Sequence, residues 1–166
     1  MKIVTVDNQK KAKILRKKTA DFNFGSLSKA ELRKLIKEMR QTMKDADGVG
    51  LSANQVNIGS NFFVAQVENK FYSIFNPKTE KASKEKIPLE EGCLSIPGVY
   101  GPVERPDKIT LTGLDINGKK VKIKAWGLLA RVFQHEVDHL NGKLFLDKCK
   151  DPYTIEGFEP KNLKSE

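Results

Sequence analysis

With 166 residues, 39% hydrophobic and 31% charged in mixed sign, the chain is too apolar for disorder and long enough to bury the core of one domain, expected to span residues 1–166. Lys and Arg total 30 against 21 Asp and Glu, a net charge of +9 that attracts acidic partners such as RNA-rich assemblies at long range; without a basic motif interleaved with aromatics, specific nucleic-acid recognition, DNA binding included, is not expected, and a solvated lysine surface is the favoured reading. No apolar run reaches membrane-spanning length and Met1 to Ala20 lacks a signal peptide's apolar centre, so the expectation is no membrane and a cytoplasmic location, where Cys93 and Cys149 stay reduced and are read separately.

Ser28-Lys29-Ala30-Glu31 has the form of a capping box, and Leu32, Leu35, Ile36, Met39 and Met43 follow at spacings of three and four. This predicts an N-terminal amphipathic helix ending near Asp47-Gly48, where glycine closes it. Gly48 to Gln55 is then a glycine-rich turn with a polar end. Asn61 to Val67 and Phe71 to Phe75, split by Glu68-Asn69-Lys70, predict a hairpin, and the polar stretch Lys78 to Lys86 a surface loop. Ile109 to Ile116 and Lys119 to Trp126 flank Asn117-Gly118 and predict a second hairpin on a two-residue type I′ turn. A second helix is predicted from about Gly127 to Leu140, apolar around much of its circumference and stopped by Asn141-Gly142. Pro152, Gly157 and Pro160 argue against a long helix after it.

Both histidines fall in that second helix, in His135-Glu136-Val137-Asp138-His139. Residues i and i+4 stand on one helix face, so two imidazoles can close on one metal ion while Glu136 lies beside the water it binds. A metal-activated hydrolase follows as the leading reading. Two histidines hold a metal poorly, and the third ligand is open between Cys93, a soft thiolate, and the downstream carboxylates Asp147, Glu156 and Glu159. The Gln55 amide is a candidate donor to a developing oxyanion. Asp138 either orients a histidine, pairs with Arg105 or Arg131, or simply lies on the helix surface.

The glycine-rich turn ending in Gln55, Glu91-Gly92-Cys93-Leu94-Ser95, and Gln134-His135-Glu136-Val137-Asp138-His139-Leu140 occur in this order. Together they resemble the three motifs of the peptide deformylases, over about Gly48 to Asp147. The resemblance implies an α+β fold, with antiparallel sheets around a central metal-bearing helix, and removal of the formyl group from the N-terminal methionine of new polypeptides. It implies Cys93, His135 and His139 as metal ligands, Glu136 as general acid and base, and Gln55 with the backbone N–H of Leu94 as oxyanion donors. Ferrous iron is the implied ion, with zinc, nickel or cobalt also accepted by such a set. Val49, Leu89, Leu128 and Val132 are candidates for the wall that recognises the methionine side chain, and substrate backbone is expected to pair beside Gly50 and Gly92 as an added strand. The family pattern usually has alanine and proline where this chain has Ser52 and Asn54. It can also carry a long C-terminal helix that docks on the ribosome; that route is not expected here, leaving weak ribosome association through the basic surface. The rivals are a zinc endopeptidase, which needs a histidine or carboxylate ligand after the helix, and a noncatalytic metal-stabilised module binding an acidic assembly.

Overall fold

The computed structural model describes residues 1–8 and 12–157; Glu159 and Pro160 lie outside the described residues. In chain order the regular elements are α1 (Lys29–Asp45), β1 (Gly50–Ser52), β2 (Phe62–Val67), β3 (Lys70–Ala82), β4 (Lys86–Cys93), β5 (Ile96–Pro106), β6 (Lys108–Leu114), β7 (Lys120–Trp126), α2 (Gly127–Leu140) and β8 (Tyr153–Thr154), with short 3-10 turns between them. The strands form a five-stranded sheet in the order β1-β2-β3-β6-β7 and a three-stranded sheet in the order β4-β5-β8. All pairings in both sheets are antiparallel.

β2 explains the layering. Its residues are buried on both faces, as expected of a strand covered on both sides. Phe62 and Val64 turn toward α1, which buries Leu32, Ile36, Met39 and Met43 against them. Phe63 and Ala65 turn the other way and pack on Ala130, Val132 and Phe133 of α2. The large sheet is thus sandwiched between two helices. A third cluster, with Leu15, Cys93, Ile96, Val103, Leu144 and Phe145, fills the space between the small sheet and the segments after α2 and near the N-terminus.

α1 opens on a reciprocal cap in which Ser28 Oγ accepts from the Glu31 N–H at 3.2 Å and Glu31 accepts from the Ser28 N–H at 2.8 Å. α2 closes on Gly142 at φ 72°, whose N–H bonds the His139 carbonyl at 2.9 Å while Lys143 N–H bonds that of Asp138 at 2.9 Å. That double bond pattern requires a left-handed residue where the helix stops, which Asn141-Gly142 supplies.

Three local expectations are corrected. Lys78 to Lys86 is not one loop: β3 runs on to Ala82, with Lys78 opposite Thr112 and Ala82 opposite Ile109. Its outer face is solvated and bulges interrupt its register, so apolar alternation fades although the backbone stays paired. Asn117-Gly118 is not a type I′ pair, because only Gly118 takes positive φ. The Asp115 carboxylate accepts from the Asn117 and Lys119 N–H groups at 2.8 and 2.9 Å and sets a wider turn. The two-residue turn with both residues left-handed is Glu68-Asn69, at φ 49° and 65° between paired Val67 and Lys70. Strands β4 and β5 were not foreseen, because Pro88, Gly92, Pro97, Gly98, Gly101 and Pro102 break the strand signal.

Candidate active site

α2 crosses from the large sheet toward the hairpin of β4 and β5, and this crossing places the chemistry. His135 and His139, one turn apart, point their Nε2 atoms at each other at 3.2 Å, and Cys93 at the end of β4 brings its Sγ within 3.1 Å of His139 Nε2. The three ligand atoms all lie within 4.8 Å of one another. A thiol and two imidazoles converging so closely fit a single divalent cation that binds sulfur and nitrogen.

The orientation of the rings fits that use. His135 Nδ1 bonds Glu91 Oε2 at 2.9 Å, which fixes one proton there and aims Nε2 at the cluster; burial would lower this ring, but bonds to Cys93 and Glu91 outweigh it and push it up to about 10, so that with no ion bound it carries a charge. Burial would raise the Glu91 carboxyl, but bonds from Arg105 and His135 outweigh it and hold it well below the usual carboxylate range. Burial, aided by the charge of His135, lowers His139 well below an ordinary histidine and keeps it neutral. His139 Nδ1 and Asn54 Oδ1 are buried without a partner among the described residues, while Asn54 Nδ2 donates to the His139 carbonyl at 2.6 Å.

Glu91 is also the hub of a buried charge network. Its carboxylate receives Arg105 Nε at 2.6 Å, Arg105 Nη2 at 2.9 Å and Arg131 Nη1 at 2.7 Å. Arg105 passes on to Asp138 at 2.7 Å, and Asp138 accepts from Lys148 at 2.6 Å. Asp138 therefore pairs with an arginine and a lysine, whereas orientation of a histidine falls to Glu91. The sequence reading missed Glu91; its place two residues before Cys93, on the same strand face, was the available signal.

Glu136 faces the cleft, 3% exposed, and burial raises its carboxyl above the usual range. Ser52 Oγ donates to Glu136 Oε2 at 2.6 Å, so the serine at this variant motif position touches the buried carboxylate. The backbone of Gly50 lies against the same group: a Cβ there would stand 2.2 Å from Glu136 Oε1. Gln55, 2% exposed, has its Oε1 tied to the Ser52 N–H at 2.8 Å, which turns Nε2 toward Ser95 Oγ at 3.1 Å and Cys93 Sγ at 3.7 Å.

Gln55, Cys93, His135 and Glu136 line one cleft of about 500 Å³, walled by Val49, Gly50, Gly92, Leu94, Leu128 and Val132 together with Ile96 and Tyr100. Leu128 and Val49 are half exposed at its rim, and Val132 is buried. Leu89 lies outside this lining and is exposed on β4. β1 and β4 are edge strands of the two sheets, so open backbone borders the cleft at Gly50 and Gly92. Of the other ligand candidates, Asp147 is taken up by Arg16 at 2.6 Å and the Leu144 N–H at 2.9 Å, and Glu156 is exposed. Glu159 lies outside the described residues. Cys93 and Cys149 are both free.

A family model described as polypeptide deformylase matches residues 1–154. A peptide deformylase of Picosynechococcus is 44% identical over 130 residues, covering 75% of this chain and 70% of the relative. One from Symbiobacterium thermophilum is 42% identical over 153 residues, covering 89% and 69%. The crystal structure of a Synechococcus elongatus peptide deformylase in complex with actinonin superposes with a TM-score of 0.82 at 39% identity, over 91% of this chain and 79% of that one.

Proposed function

Because the chain belongs to the polypeptide deformylase family of metal-dependent hydrolases, which removes the N-formyl group from newly made polypeptides, we propose that Cys93, His135 and His139 hold its ion and Glu136 is its acid and base. The reading rests on the convergence of those three ligand atoms beside a buried carboxylate, in a cleft bordered by open strand edges. Bound there, a divalent ion supplies the Lewis acid that activates water and polarises the formyl carbonyl.

Glu136 takes the proton of the attacking water, whose oxygen bonds to the formyl carbon. Gln55 Nε2 and the Leu94 N–H donate to the oxygen that becomes negative. Glu136 then gives the proton to the amine nitrogen as the C–N bond breaks, and formate leaves. The peptide backbone adds a strand beside Gly50 and Gly92, and Val49, Leu128 and Val132 receive the methionine side chain; Leu89, outside the cleft lining, is left out of this wall. Residues 1–166 act as one domain. The proposed native ion is ferrous iron, with zinc, nickel or cobalt as substitutes, and the proposed setting is the cytoplasm, where new chains emerge. Among the described residues no helix is long and apolar enough to cross a membrane.

The endopeptidase alternative is not favoured, since the thiol of Cys93 stands beside both imidazoles while, among the described residues, Asp147 is bound to Arg16 and Glu156 is exposed. Formate release from formyl-Met-Ala under anaerobic iron loading tests the proposal. Glu136→Gln is expected to keep the ion and lose at least about 100-fold in rate. A variant as fast as the parent refutes the assignment of Glu136.

A further inference from the structure

Strand β7 carries Lys120, Lys122, Lys124 and Trp126 at alternate positions, and all four are exposed. Alternate residues of a strand share a face, so these side chains form one row, while Val121, Ile123 and Ala125 turn inward to the core. Linear reading sees no interleaving of basic and aromatic groups here; the pleat creates it. β7 is also the outer strand of the large sheet, open along one edge.

The neighbouring strands extend the patch. Lys108 stands opposite Trp126 on β6, and Lys78 and Lys81 of β3 stand opposite Thr112 and Thr110, which face Lys122 and Lys124 in turn. Six lysines thus share the solvent face of three adjacent strands. Glu80, 2.7 Å from Lys122, is the carboxylate paired among them. Trp126 is 67% exposed, far more than so large an apolar ring normally is. Exposed aromatic area presented beside a row of cations suits a polyanion that itself carries flat rings. Nucleic acid combines the two: phosphates for the lysines and an unstacked base for the indole. An acidic peptide would use the lysines and leave the indole wet.

We propose that this face binds single-stranded RNA, with phosphates along Lys120, Lys122 and Lys124 and a base stacked on Trp126. The row ends two residues before Leu128, which stands at the rim of the cleft. The proposal goes beyond the deformylase reading and does not depend on it, because none of these residues belongs to the catalytic set.

Trp126 is the single tryptophan of the chain, so its fluorescence reports this site alone. Titrating the full chain with a 12-nucleotide oligouridine RNA is expected to quench that emission. Lys120→Gln/Lys122→Gln/Lys124→Gln should lower the slope of log affinity against log salt by about 2, at roughly 0.7 per phosphate contact on a single strand. Trp126→Ala should weaken RNA binding, followed by anisotropy of labelled RNA, by about 5- to 100-fold. Both variants should deformylate formyl-Met-Ala at the parental rate, which also shows them folded. Unchanged emission on RNA addition overturns the proposal. So does RNA affinity that survives both variants, or a polyglutamate chain of equal charge that binds as tightly and is indifferent to Trp126→Ala.

Discussion

Replacing Glu91 by Gln removes one charge and almost no volume from the hub that joins α2 to the small sheet. Glu91 accepts four bonds: two from Arg105, one from Arg131 and one from His135. An amide offers one oxygen and one NH₂, and the NH₂ would confront two donors on whichever side it lies. With the NH₂ in place of Oε1, Arg131 keeps only the carbonyls of Val103 and Ile87; in either placement Arg105 keeps Asp138. Breaking a buried ion pair on one side costs about 3–5 kcal/mol. At roughly 2–4 °C per kcal/mol for a chain of this size, the melting temperature should fall by about 6–20 °C. With the NH₂ in place of Oε2 it is His135 that loses the acceptor fixing its ring, and metal affinity should drop about 10- to 100-fold. Asp138→Asn is the matched control, expected to cost about 1 kcal/mol, because Asp138 is 14% exposed and Arg105 retains Glu91. Calorimetry with metal competition against a chelator measures both quantities. A Glu91→Gln protein that melts within about 2 °C of the parent and binds metal equally well would refute the hub, given the cost expected for a buried pair.

Gln55→Ala should lower kcat by about 100- to 1000-fold with little change in KM, measured by formate release, if its amide serves the transition state. Gly50→Ala sets a methyl 2.2 Å from Glu136 Oε1 and should displace that carboxylate, costing on the order of 100-fold in kcat while metal content stays at the parental level. Asp147, held by Arg16 and Leu144 N–H below its ordinary 3.8 although burial pulls the other way, contributes stability while ionised. Its folded carboxyl is the stronger acid, so that contribution is complete above the unfolded value and fades as pH falls through the folded one. Urea titrations should show Asp147→Asn less stable by at most about 1 kcal/mol at pH 6, the pair being well solvated, with the difference shrinking below pH 3.8.

The helix carrying the histidines was legible because its signals are local: spacing of three and four, two histidines one turn apart, and an Asn-Gly stop. Cys93 was legible as chemistry but not as a position, since only the return of β4 toward α2 decides between a thiolate and the carboxylates after the helix. Glu91, Arg105 and Arg131 gather from two strands and a helix, and no window along the chain contains that contact. The small sheet hid behind its prolines and glycines. Ser52 and Asn54 read as departures in a turn, yet one touches Glu136 and the other holds the carbonyl of His139. The row on β7 shows the same lesson on the surface, where strand pleating rather than linear order sorts the lysines and Trp126 onto one side.

X-ray absorption at the metal edge of the loaded protein tests most directly whether one thiolate and two imidazoles share an ion. One ion per chain with a single sulfur neighbour and two imidazole nitrogens, the sulfur signal vanishing in Cys93→Ala, is the predicted result. A coordination shell without sulfur, or one unchanged by loss of Cys93, would contradict it.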